Sequence, residues 1–207
     1  MDDWVYYHSF IVPDNFTSRG YIEFVFEGLD THADIKINGY LLGSTNNAHR
    51  TWILPIDKTK ILIGQQNDIE ITFKSAVKHD LALEEAFNKT YNMTLPANYS
   101  FSRKAAYHYG WDWGPRLVTA GIWKPIKLRA FNFVQFSDVY IRNEKVTADS
   151  VKKSVRIYGK VNLRVLKGPE NGYQYRLIIA DNNTGQVYYN QNFTANYTPI
   201  PGDHEKI

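Results

Sequence analysis

The 207-residue sequence contains no cysteine, so no disulfide framework braces the fold and none indicates a compartment. No stretch approaches the roughly 18 apolar residues of a membrane helix, and no membrane span is expected. Behind Met1-Asp2-Asp3-Trp4 there is no basic region followed by an apolar run, the mark of a secretory leader. An excess of one charge is also missing. Lys and Arg number 24 against 21 Asp and Glu, for a net charge of +3, and they are scattered, which speaks against a nucleic-acid partner. There is no phosphate-binding glycine loop and no Gly-x-Ser-x-Gly nucleophile elbow. The six His show no metal-ligand spacing, so no metal and no cofactor is expected. Glu84 and Glu85 are adjacent, do not face a common point on a helix, and read as solvated surface.

What is present is a globular composition, 43% hydrophobic and 22% charged, unusually rich in aromatic residues at 15%. Such richness suits β-sheets and flat ligand-stacking surfaces. Asn-x-Ser/Thr sequons begin at Asn15, Asn88, Asn92, Asn98, Asn182, Asn192 and Asn196. Chance would give about two, so the excess points to N-glycosylation on surface loops and passage through the secretory pathway. Sequons without a leader are reconciled if the chain is an internal part of a longer protein, or a product lacking its original N-terminus.

Short β-type runs dominate. Val5–Val12, Tyr21–Glu27 and Ala33–Ile37 precede Asn38-Gly39, the strongest short hairpin signal, and Tyr40-Leu41-Leu42 follows as the return strand. Trp52–Ile56 and Asp68–Phe73 are further strands, the second placing Ile69, Ile71 and Phe73 on one face. Ser75–Phe87 favours helix, Gly121–Ala130 resumes strand character, and the spacing suggests a sandwich. Beyond Phe136 a meander of about four strands is predicted at Ser137–Ile141, Ser154–Val165, Tyr173–Ala180 and Gln186–Phe193, fewer than the roughly seven of an immunoglobulin-like sandwich. The fold class is therefore all-β, with domains over 1–133 and 134–207, both expected to be incomplete.

The segment Arg103–Arg116 concentrates four aromatics, an imidazole and an acid between Gly110, Gly114 and Pro115. Indole rings stack on the C–H faces of a pyranose, and a fixed carboxylate accepts hydrogen bonds from neighbouring hydroxyls. Trp111-Asp112-Trp113 is thus suited to sugar. The same residues equally suit a core plug, with Trp113 buried and Asp112 capping a turn. Nothing in the chain looks like a self-contained active site.

Arg103 through Trp123 closely resembles a segment of the β-mannosidases of glycoside hydrolase family 2. Phe26-Glu27-Gly28-Leu29-Asp30-Thr31-His32-Ala33, followed by Ile37-Asn38-Gly39, resembles that family's sugar-binding sandwich. The resemblance implies a galactose-binding-like jelly-roll, then an immunoglobulin-like sandwich, then a catalytic (β/α)₈ barrel against which they pack. It implies removal of terminal non-reducing β-D-mannose from oligosaccharides and N-glycan remnants, with retention, by two Glu about 5–5.5 Å apart. It also implies a lysosomal or secreted location. Both Glu would lie in the barrel, outside this chain, so no catalytic residue is expected here. By the same resemblance Asp112 binds sugar hydroxyls, Trp111 lines the mannose pocket, and Arg103 orients the loop. Two other readings stay open: a non-catalytic carbohydrate-binding protein, and a truncated product whose unpaired sheet edges leave it unstable.

Overall fold

The computed structural model of the chain describes residues 2–87, 100–148, 153–165 and 173–195. It forms two compact units, Met1–Ala130 and Phe131–Ile207. The described residues are mostly strand, and the chain is all-β.

In the first unit one sheet contains β1 (Trp4–Ile11), β4 (His32–Ile37), β5 (Tyr40–Asn46) and β7 (Gln66–Phe73), in the spatial order β1-β7-β4-β5, antiparallel throughout. The second contains β2 (Tyr21–Phe26), β6 (Trp52–Pro55) and β9 (Ile126–Phe131), with β2 in the centre. Alternation along the strands decides what lies between them. Ile35 and Ile37 of β4, and Ile69, Ile71 and Phe73 of β7, meet Ile22, Phe24 and Phe26 of β2 in one buried cluster. From β9 the alternate residues Ile126, Leu128 and Ala130 pack against that cluster. On the other face of β2 and β9, Arg129 Nε donates to the fully buried Glu23 carboxylate. The two sheets thus share one core, a β-sandwich. Each fully buried Phe or Ile side chain contributes about 1.5–3 kcal/mol.

The Asn38-Gly39 hairpin forms as predicted. Both residues have positive φ, 50° and 82°, the conformation a two-residue primed turn requires. Asn38 also uses its side chain, donating to Asn67 Oδ1 at 2.8 Å and accepting from the Asp68 backbone N–H at 2.9 Å. Helix α1 (Ala76–Phe87) occupies the predicted helical segment. The predicted strand Gly121–Ala130 is broken. Gly121–Ile122 forms β8, which pairs with β3 (Leu29–Asp30), and only Ile126–Phe131 joins the second sheet. Pro125 separates them, because it has no N–H to give a ladder.

The second unit contains β10 (Val134–Ala148) paired with β11 (Lys153–Val165), and β12 (Tyr173–Ala180) paired with β13 (Val187–Ala195). Ser137–Ile141 is only the middle of the longer β10. The Asp181–Gly185 turn is closed by Asp181 Oδ1, which accepts from the N–H groups of Asn183 and Thr184, both at 2.8 Å.

The sequons divide. Asn15 lies in a short helical turn and Asn182 in the β12–β13 turn, both exposed. Asn192 is exposed but sits within β13, opposite Arg176, and so is on a strand and not on the loop expected of it. Asn88, Asn92, Asn98 and Asn196 lie outside the described residues.

Candidate functional site

The Arg103–Arg116 segment has a buried base and an exposed tip. At the tip, the Trp111 N–H donates to the Gly114 carbonyl at 3.3 Å, and the Gly114 N–H donates back to Trp111 at 3.1 Å. This closes Trp111-Asp112-Trp113-Gly114 into a tight turn with Asp112 and Trp113 at its apex. Gly110 enters the turn with φ of +103°, a region where a side chain would be strained. Trp111 is 56% exposed and Trp113 88%, and Asp112 is exposed as well. That overturns the core-plug alternative: a plug must exclude water from its indoles, and these two stand in it. The Arg103 side chain is also exposed, while its carbonyl accepts from the Ala48 N–H at 2.9 Å. Arg103 therefore marks where the segment is stitched to the loop after β5.

Two buried anchors hold the base. In the first, Lys104 donates to Asp30 of β3 and, at 2.5 Å, to the Thr119 carbonyl. Burial pulls the Lys104 ammonium below its usual range, against the opposing pull of Asp30. In the second, the fully buried Asp80 of α1 accepts from Tyr109 Oη at 2.8 Å, from Ser102 Oγ at 2.5 Å and from His79 Nδ1 at 3.2 Å. Ser102 Oγ gives its proton to Asp80 and so accepts from His32 Nε2, 2.8 Å away. Tyr109 itself is fully buried, with burial and then Asp80 pushing its phenol above the ordinary value, which keeps it a donor. The Arg116 guanidinium lies 5.4 Å from the centre of the Tyr109 ring and closes the segment from its far end.

The donor atoms of His32, His79 and Asp80 lie within 4.8 Å of one another. Such a set has the ligand types of a divalent metal site, and it draws on residues whose sequence separation hides it. Its donors already serve the hydrogen-bond network, however, and the His32 and His79 rings stack at 3.8 Å instead of converging on a point. Burial, and next the neighbouring His79, hold His32 down at about 4, so it is neutral.

The anchors were not visible as site residues in the sequence. Asp30 and Lys104 are 74 residues apart and Asp80 and Tyr109 are 29 apart. The one local signal is Asp80, which shares the buried stripe of α1 with Ala76 and Val77, where an unpaired carboxylate would be too costly to keep.

The sequence profile of the family described as glycosyl hydrolase 2 galactose-binding domain-like matches residues 1–124. The β-mannosidase of Mus musculus is 26% identical over 201 residues, which are 90% of this chain and 22% of that protein. β-Mannosidase B of Emericella nidulans is 34% identical over 143 residues, 66% of this chain and 16% of that protein. Among solved structures, a β-D-mannosidase from Dictyoglomus thermophilum superposes with a TM-score of 0.71 at 26% identity, covering 92% of this chain and 22% of that one. The chain thus spans between 16% and 22% of the length of these relatives.

Proposed function

The chain belongs to the glycosyl hydrolase 2 galactose-binding domain-like family, and from that premise we propose that it is the non-catalytic sandwich portion of a β-mannosidase. In this reading residues 1–133 are the jelly-roll module and 134–207 belong to an immunoglobulin-like sandwich. The whole enzyme removes terminal non-reducing β-D-mannose from oligosaccharides and N-glycan remnants, with retention. The two carboxylates that cleave the bond lie on a (β/α)₈ barrel outside these 207 residues, and this chain alone is inactive.

The observation that carries the reading is the exposed Trp111-Asp112-Trp113 apex on a buried, hydrogen-bonded base. A soluble fold gains nothing by holding two indoles in water, and a large exposed apolar surface marks a place of contact. Asp112 binds mannose hydroxyls, Trp111 lines the pocket, and Arg103 orients the loop through its backbone tie. Arg103 is a positioning residue; none of the three breaks the bond. The pre-formed base matters because ordering a loop on binding costs affinity. The exposed sequon residues Asn15 and Asn182 support a glycosylated protein of the secretory pathway, secreted or lysosomal.

The test is hydrolysis of chromogenic β-mannoside, β-glucoside and β-galactoside by the 207-residue chain and by the longest reading frame that contains it. The longer protein is expected to cleave the β-mannoside selectively and the shorter to cleave none. Cleavage by the 207-residue chain would sink the placement of the carboxylates, and preference of the longer protein for another glycoside would sink the substrate assignment.

A further inference from the structure

Apart from the aromatic tip, the first unit contains an open cavity of about 370 Å³. Trp111, Asp112 and Trp113 do not line it. Its walls include Tyr6, His49, Tyr107 and Trp123, and Asp30 and His108 stand at its floor. From these groups we infer that the cavity is a second, non-catalytic sugar-binding site that takes a single neutral pyranose ring.

Charge decides against an ion. Asp30 at the floor is paired with the buried Lys104 behind it, and the Lys104 ammonium is committed to Asp30 and to the Thr119 carbonyl. What faces the space is aromatic surface mixed with neutral donors and acceptors, the combination that fits a ring with C–H faces and hydroxyl edges. The volume sits near the lower end of small-molecule sites, about 300–1,000 Å³.

The walls are set before any ligand arrives. Trp123 Nε1 donates to the Ala48 carbonyl at 3.1 Å, and its ring lies so close to Gly28 that a Cβ there would stand 2.5 Å from Nε1. The indole is thereby locked, yet it is 51% exposed. Tyr6 is held edge-on by Phe73, with ring centres 5.5 Å apart, and its hydroxyl lies against Gly121. Tyr107 is 71% exposed and meets the His108 ring edge-on at 4.6 Å. At the floor His108 Nδ1 stands 3.6 Å from Asp30 Oδ2 and 3.4 Å from Thr119 Oγ1. Asp30 Oδ2 accepts from Lys104 and faces His108 Nδ1, and a carboxylate oxygen has the capacity to accept from a sugar hydroxyl as well. The Lys124 ammonium lies over one face of the Trp123 ring, 4.3 Å from its centre, so the expected pose stacks the sugar on Tyr107 and on the other face of Trp123, with hydroxyl contacts to Asp30 and His108. This site stands independently of the role given to Asp112.

The test uses the 207-residue chain labelled with ¹⁵N, in which five Trp give indole N–H signals assigned by single Trp→Phe variants. It is titrated with methyl β-D-mannopyranoside and with N-acetylglucosamine, and with sodium acetate as an anion control. Saturable movement of the Trp123 indole is expected with at least one sugar, at a Kd of about 1 mM, and not with acetate. Tyr107→Ala and His49→Ala, both at exposed positions, should each weaken it about fivefold, whereas Asp112→Ala should leave it unchanged. Movement confined to the Trp111 and Trp113 indoles, no movement of Trp123 with either sugar at about fifty times that Kd, or equal movement with acetate would each overturn the inference. The first of these would leave the role of the tip standing.

Discussion

Tyr109→Phe removes one oxygen and nothing else from the base of the aromatic segment, which makes it the sharpest probe of how that segment is held. The ring is fully buried and stays so. The main loss is the 2.8 Å hydrogen bond from Tyr109 Oη to the Asp80 carboxylate, and the hydroxyl's contact with Ser102 goes with it. A bond to a buried charge contributes about 1.5–3 kcal/mol. Asp80 keeps Ser102 and His79 as donors, so the lower part of that range, about 2 kcal/mol, is expected. For a unit of this size that lowers Tm by about 8 °C, read by circular dichroism on the 207-residue chain. The tip gives the internal comparison. Asp112 is exposed, and Asp112→Ala should stay within about 0.5 kcal/mol of the parent. A Tyr109→Phe variant that melts within about 1 °C of the parent would refute the anchoring role of the Asp80 network.

Other expectations follow from the same geometry. Lys104→Met alone leaves Asp30 buried without its partner and should cost about 3–5 kcal/mol, with Asp30→Asn in the same chain recovering part of it, measured as a double-mutant cycle in urea. Gly28→Ala drives a Cβ into the Trp123 ring, 2.5 Å from Nε1, and should cost about 1–3 kcal/mol while shifting the Trp123 indole resonance. His32 has its pKa lowered from 6.5 to about 4, by burial first. Between those values the unfolded chain holds a proton that the folded chain does not, so stability is lost as pH falls through that window. His79, Asp80, Lys74 and Asp30 all act on the same imidazole, so the check is a difference: Tm of His32→Gln should fall less steeply than that of the parent between pH 6.5 and 4.

Local physics was legible in the sequence and distant pairing was not. Asn38-Gly39 announced its turn because both φ angles are positive there and few other residue pairs accept that. Ile69, Ile71 and Phe73 announced a buried face because strand side chains alternate, and all three are buried. The continuous run from Gly121 hid a break, since strand propensity does not register that Pro125 cannot join a ladder while Gly121–Ile122 turns to meet Leu29–Asp30. The Trp-Asp-Trp motif was visible as a motif, but its exposure was not. Whether two indoles fill a core or face water depends on what Lys104 and Tyr109 are tied to, and those partners come from β3 and α1. For the same reason the pairing of Asp30, the role of Asp80 and the His32–His79 stack have no signature in the sequence: an isolated carboxylate or imidazole has no period to betray its partner.

The sugar-binding role of Asp112 is tested most directly in the longest reading frame that contains this chain. kcat/KM for a chromogenic β-mannoside and the melting temperature are measured for the parent and for Asp112→Ala. A loss of about two orders of magnitude in kcat/KM is expected, because a charge-assisted contact to the reacting sugar is removed, with Tm unchanged within about 1 °C. Undiminished kcat/KM would contradict a sugar-binding role for Asp112, and a loss of activity that merely follows a fall in Tm would show Asp112 to be structural.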